Sequence, residues 1–198
     1  MEFLRMHGRL LHKLTIGRYK FTTADFGGLD FAASCPNLRE LAIHGGLVNA
    51  SVFTHPVLEK LHLRESEYKG GVQDIRLDTG SRLRDLPFED CLVHAESLYV
   101  GPASPLSTFH NGIDEDYGGV FPERLEFDSC PNLRDIHINA DAAVWHLTLC
   151  GCLPNLSNVQ QDASPYGSYT YAVEDALPGD KKHYMSLIKR GKDYTKRW

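Results

Sequence analysis

One spacing of apolar residues recurs along the chain: apolar, two free positions, apolar, one free position, apolar. Leu11, Leu14 and Ile16 fit it, as do Leu38, Leu41 and Ile43, and Leu58, Leu61 and Leu63. Further copies are Val72, Ile75, Leu77; Leu83, Leu86, Phe88; Leu133, Ile136, Ile138; and Val144, Leu147, Leu149. Leu98 with Val100, and Leu125 with Phe127, keep the last two members. The closing alternation has a period of two, the signature of a short strand with one face buried. Turn residues follow at once, among them Gly45-Gly46, Gly70-Gly71, Gly101-Pro102, Gly118-Gly119 and Gly151. The pattern predicts a short strand within each of residues 58–64, 72–78, 83–89, 95–101, 122–128, 133–139 and 144–150, paired in parallel.

The spacing between copies carries more information than the strands. The middle apolar residues fall into two interleaved series. One runs Ile75, Leu98, Leu125, Leu147, and the other Leu61, Leu86, Phe109, Ile136, Val159. Both take their longest step across the same stretch, as one loop near Asn111 to Gly119 inserted into a single coil would require. The other steps give a coil of about 22–23 residues with two apolar segments on opposite sides. Cysteine marks the corners: Cys91, Cys130 and Cys152 each stand five residues after a strand leucine. Cys35-Pro-Asn-Leu38, Cys130-Pro-Asn-Leu133 and Cys152-Leu-Pro-Asn-Leu156 then lead into the next strand. Small, readily buried cysteine suits an inward corner, so Cys91, Cys130 and Cys152 are expected to be buried and unreactive.

These Cys-Pro-Asn-Leu-x-x-Leu-x-Ile units resemble leucine-rich repeats, in particular the cysteine-containing type of plant F-box and resistance proteins. The resemblance spans roughly residues 10–160. It implies a curved solenoid that binds protein partners. The short gap between apolar segments leaves little room for a helix in each coil, and no F-box motif precedes the repeats. The expected fold class is therefore α/β: a strand-dominated leucine-rich-repeat-like solenoid over residues 1–160, with a C-terminal cap or tail over 161–198. A solenoid needs covered ends. Either residues 3–12 form a short covering helix, or the chain begins inside a longer array. At the other end, residues 180–191 read as a short helix carrying Tyr184, Leu187 and Ile188 on one side.

Charge adds an asymmetry. Net charge is −5, yet residues 181–198 carry +6, which leaves −11 on the remainder. An acidic body does not suit nonspecific nucleic-acid binding, whereas the basic tail reads as a cap with its lysines in solvent, a disordered tail, or a patch for an acidic partner, nucleic acid or membrane surface. No apolar run is long enough to span a bilayer, so membrane insertion is not expected, and the N-terminus lacks the features of a secretory signal. Five cysteines, an odd number, argue against a disulfide framework and for a reducing compartment, cytoplasmic or nuclear.

No nucleophile elbow, P-loop or dinucleotide fingerprint occurs, and none of the ten histidines stands at metal-ligand spacing with a second His or Cys cluster. No catalytic residue, metal or cofactor is expected. The acidic run Asp114–Asp116 lacks the spaced ligands of a calcium loop. Function is expected to lie in recognition of a protein partner by the free positions of the strands. Those positions place Arg76, Tyr99 and Arg124 on one ladder and His62, Asp85 and His137 on the other. Arginine and aromatic residues are favoured at interface hot spots. The alternative is a carbohydrate-active parallel β-helix with Asp74, Asp85 and Asp135 as its acids.

Overall fold

The computed structural model describes residues 2–17, 24–68, 75–77, 81–89, 91–93, 95, 97–112, 122–138, 146–161 and 170–190. Within them the chain is a strand-dominated parallel β-solenoid of about five turns. Its longest sheet has eight strands, in the order Lys13–Ile16, Glu40–His44, Lys60–Arg64, Asp85–Glu89, Thr108–Gly112, Asp135–Ile138, Asn158–Gln161 and Ile188–Arg190. A five-stranded sheet runs Thr170–Glu174, His146–Cys150, Arg124–Asp128, Ser97–Val100 and Ile75–Leu77. All seven expected strand segments contain a strand, and every pairing is parallel.

The two apolar series of the sequence are register rows. Ile75 pairs with Leu98, Leu98 with Leu125, and Leu125 with Leu147. Leu86 pairs with Phe109, Phe109 with Ile136, and Ile136 with Val159. Their side chains point inward into one continuous core, and successive residues alternate buried and half-exposed along each strand. Among the described strands of the eight-stranded sheet the register lapses where Leu61 and His62 face Leu86 and Pro87. Pro87 has no N–H to give the ladder, so that link is absent while its neighbours hold.

A third sheet was not anticipated. Ala24–Asp25, Gly46–Val48, Glu67–Tyr68 and Leu92–Val93 form four very short parallel strands beside the long sheet. The chain enters them through tight corners of left-handed backbone, at Gly45 (φ 71°) and Glu65 (φ 46°). Ser129, Gly151 and Asp175 repeat the device at the exits of successive strands of the five-stranded sheet. The ladder continues through these corners, since Ser129 N–H donates to Cys150 O and Gly151 N–H to Glu174 O, each at 3.0 Å.

Both ends carry helices. Helix α1 (Glu2–His7) buries Leu4 and leaves Phe3 and Met6 in solvent. Gly8 follows it and touches the second helix, α2 (Phe31–Ser34), so closely that a Cβ there would meet Ser34 O. At the other end helix α3 (Pro178–Leu187) buries Tyr184, whose hydroxyl accepts the Leu153 N–H at 2.7 Å. The sheets run past residue 160: Thr170–Glu174 and Ile188–Arg190 each add a strand, and the helix ends at Leu187 instead of continuing to Gly191.

The cysteine corners need one correction. Cys35, Cys91 and Cys130 are buried, and the Cys91 and Cys130 thiols donate to Leu63 O and Val100 O of neighbouring coils. Cys152 is exposed. The bend is set by the following Pro-Asn-Leu, not by the count from the preceding strand. Leu38 N–H donates to Cys35 O, Leu133 N–H to Cys130 O, and Leu156 N–H to Leu153 O. Leu153 thus holds the inward corner, and Cys152 sits one residue outside it. Burial, with the nearby Asp128 charge, pushes the Cys130 thiol up to about 12, and burial pushes Cys150 up to about 11. Thiolate is the reactive form, so a disulfide-exchange reagent at neutral pH should label Cys152 first and alone. Cys152→Ser should abolish that fast phase; a fast phase that survives would show a second accessible thiol.

Candidate functional site

The solvent face of the eight-stranded sheet presents its side chains in rows, because parallel in-register strands stack equivalent positions about 4.8 Å apart. One row runs Lys13, Glu40, Lys60, Asp85, Thr108, Asp135, Asn158. Its charges alternate at the start: Lys13 Nζ lies 2.8 Å and Lys60 Nζ 3.6 Å from the Glu40 carboxylate. The Lys13 hydrogen bond, seconded by the charges of both lysines, holds the Glu40 carboxyl below its usual range. Farther along, Asp85 Oδ1 accepts the Thr108 hydroxyl at 2.6 Å and the Ser107 hydroxyl at 3.2 Å.

The neighbouring row is rich in histidine. Ala42 pairs with His62, and beyond the lapse Pro87, His110, His137 and Gln160 pair in succession. The His110 and His137 rings stack with centroids 4.7 Å apart and planes 16° from parallel. The His44 and His62 rings meet at 5.8 Å. All four are half-buried. The sequence reading brought out His62, Asp85 and His137 here and missed His110. The signal was present: Phe109 belongs to the second apolar series, so His110 beside it had to face outward.

On the five-stranded sheet Arg76 and Tyr99 do come together, with the guanidinium carbon 4.2 Å from the ring centroid. The Tyr99 hydroxyl donates to Asp128 Oδ2 at 3.0 Å. Burial first, and then that carboxylate, push the Tyr99 phenol up to about 12. Tyr99 is therefore fixed from both ends. Arg124 lies in the next row, paired with Ser97 and His146, and is exposed.

A further row precedes the strands of the eight-stranded sheet. Backbone bonds link Arg39, Glu59, Arg84, Ser107, Arg134 and Ser157 in succession. Arg39 Nη1 meets Glu59 Oε1 at 2.8 Å. Arg84, Ser107, Asn132, Arg134, Asp135 and Asn155, with Pro105 and Thr108, line a groove of about 510 Å³. A second groove of about 590 Å³ shares Arg84 and Pro105 and adds Arg82.

Among the described residues no three His, Cys, Asp or Glu side chains gather as a metal site, and no helix is long and apolar enough to cross a membrane. Asp74, the 114–116 acidic run, and Lys192, Lys196 and Arg197 of the basic tail lie outside the described residues. Comparison with protein-family models, with curated proteins and with solved structures returns no match.

Proposed function

We propose that this chain is a recognition module of leucine-rich-repeat type that presents the solvent face of its eight-stranded sheet to a protein partner, and that it is not an enzyme. One observation carries the reading: the parallel strands of the long sheet stack exposed and half-exposed polar and histidine side chains in rows, interrupted at Ala42 and Pro87. A partner laid across the strands meets several rows at once. The Cys-Pro-Asn-Leu corners at Cys35 and Cys130 support the repeat kinship, with a coil of about 22–23 residues. Buried reduced cysteines suit a cytoplasmic or nuclear setting.

The five-stranded face is the lesser candidate. Arg76, Tyr99 and Asp128 already satisfy one another there. For the carbohydrate-active alternative, Asp85 and Asp135 flank Thr108 on one row, two strands apart, or about 9.6 Å by strand spacing. That matches the upper end of the separation used by inverting glycosidases, about 6.5–9.5 Å. Asp85 is engaged by two hydroxyls, which favours a structural role over turnover.

A display selection for peptides that bind the wild-type protein tests the reading without a known partner. His110→Ala with His137→Ala should weaken the selected peptides at least tenfold, about 1.4 kcal/mol, with the melting temperature nearly unchanged. Arg76→Glu with Arg124→Glu should change affinity little. If both pairs leave binding intact, neither ladder is the recognition face.

A further inference from the structure

We propose that the groove along the strand-entry edge of the eight-stranded sheet binds the carboxylates of an acidic, extended peptide segment, with Arg84 and Arg134 as its two anchors. This rests on the recognition reading above and names the chemistry of the partner.

The row before the strands begins neutralised and ends with unmatched positive charge. Arg39 is answered by Glu59 one strand over, at 2.8 Å. At the next repeats of that position Arg84 lies between Glu59, whose carboxylate is engaged by Arg39, and Ser107, and Arg134 lies between Ser107 and Ser157; the serines bring no charge. The Ser107 hydroxyl hydrogen bonds to Arg84 O and Asp85 Oδ1, and the Ser157 hydroxyl to Arg134 O. Among the described residues neither guanidinium meets an acidic partner within ion-pair distance. In a chain of net charge −5, two exposed arginines on the wall of one groove form a local positive site. A guanidinium offers a planar fork of donors that matches a carboxylate in two-point contact.

Geometry selects a peptide. Arg84 and Arg134 stand two strands apart, about 9.6 Å at the backbone. Alternate side chains of an extended chain recur every ~6.6–6.8 Å, a gap that two long arginine arms close easily. The groove is not purely cationic. Asp135 lines it, and Asn132 and Asn155 add carboxamides, with Asn155 Nδ2 already committed to Pro131 O at 2.6 Å. Asp135 and the Asn155 carboxamide oxygen are acceptors, and they suit the N–H groups of a peptide backbone. The second groove shares Arg84 and adds Arg82, with the Arg39-paired Glu59 also on its wall, so the edge is long enough for several residues of ligand.

The test uses a short fluorescein-labelled peptide of alternating glutamate and serine, read by anisotropy on the full chain at low salt. A glutamine–serine peptide and an oligogalacturonate serve as comparison probes. The glutamate peptide should bind, should weaken as salt rises, and should lose at least tenfold affinity in Arg84→Gln with Arg134→Gln. Arg124→Gln, on the other sheet, should leave it unchanged. An unaltered melting temperature separates lost contacts from lost folding. Failure of the glutamate peptide to bind overturns the proposal, and so does preference for the galacturonate, which would favour a saccharide ligand. Binding that survives the double substitution also overturns it and moves the anion site to the basic tail. None of these outcomes touches the display result on His110 and His137, so the two readings fail separately.

Discussion

Phe109→Ala is expected to destabilise the protein by about 3–5 kcal/mol, the usual cost of removing a buried phenylalanine ring. Phe109 is almost fully buried and sits in one of the two central strands of the longest sheet. It also links a run of rings through the core. Phe53 meets Phe88 at 6.1 Å, Phe88 meets Phe109 at 6.2 Å, and Phe109 meets Phe127 edge-on at 5.5 Å. Phe127 belongs to the five-stranded sheet and Phe109 to the eight-stranded one, so this contact ties the two faces of the solenoid together. In a repeat protein each coil is held mainly by its neighbours, and stability is close to a sum of such interfaces. A cavity at Phe109 weakens the interface between the N-terminal and C-terminal coils on both sheets at once. Urea unfolding should show a lower midpoint and a broadened or split transition as the two halves uncouple. The same substitution at Phe3, which is 58% exposed, should leave the midpoint almost where it was. A Phe109→Ala protein that unfolds with the wild-type midpoint would mean that the ring ladder does not couple the coils.

The strands of the two larger sheets were legible because an apolar residue at every second position has one physical meaning: one face is buried. The interleaved series Ile75–Leu147 and Leu61–Val159 even gave the register, since stacked coils must place equivalent residues opposite one another. The four-stranded sheet was not legible. Its strands are two or three residues long, and segments such as Glu67–Tyr68 are too short to show a period. Cys152 misled for a different reason. One inserted residue between it and Pro154 moves the corner to Leu153, and a fixed count from the preceding strand cannot detect that shift. The final coil was hidden by its polar composition. Among its described residues Val173 and Tyr184 are the buried apolar ones, and both strands it adds lie at sheet edges. Of the six residues singled out for recognition, Arg76 and Tyr99 form a contact pair, and His137 stacks on a partner that the pattern implied. The groove arginines Arg84 and Arg134 were passed over because they precede the strands, where the alternation that organised the reading has not yet begun.

Stability should fall as pH drops below about 6.5, and His55 should account for a separable part of that fall. His55 stands before Pro56 in a corner equivalent to those of Cys35 and Cys130, and it is only 1% exposed. The Val57 N–H donates to His55 Nδ1 at 3.3 Å, so the ring proton resides on Nε2, which lies 3.1 Å from Cys35 O and donates to it. The imidazole thereby ties two successive corners together in its neutral form. Protonating Nδ1 would break the Val57 bond and place a charge in the core. Burial accordingly lowers the pKa of His55 from its ordinary 6.5, against the smaller upward pull of the Cys35 and Phe31 carbonyls and of Asp30. The direction of linkage follows. Above pH 6.5 the ring is neutral both folded and unfolded, and it contributes no pH dependence. Below 6.5 the unfolded chain takes up a proton that the folded chain refuses, so stability declines until the folded ring itself titrates. His55→Cys installs the residue that the equivalent corners use, with a thiol able to donate to Cys35 O as Cys130 donates to Val100 O. It should cost about 1–3 kcal/mol at neutral pH, for the smaller side chain and the lost Val57 bond. It should also flatten the urea midpoint between pH 6.5 and the onset of carboxylate titration. An unchanged slope across that range in the His55→Cys protein would assign the acid sensitivity to groups other than His55.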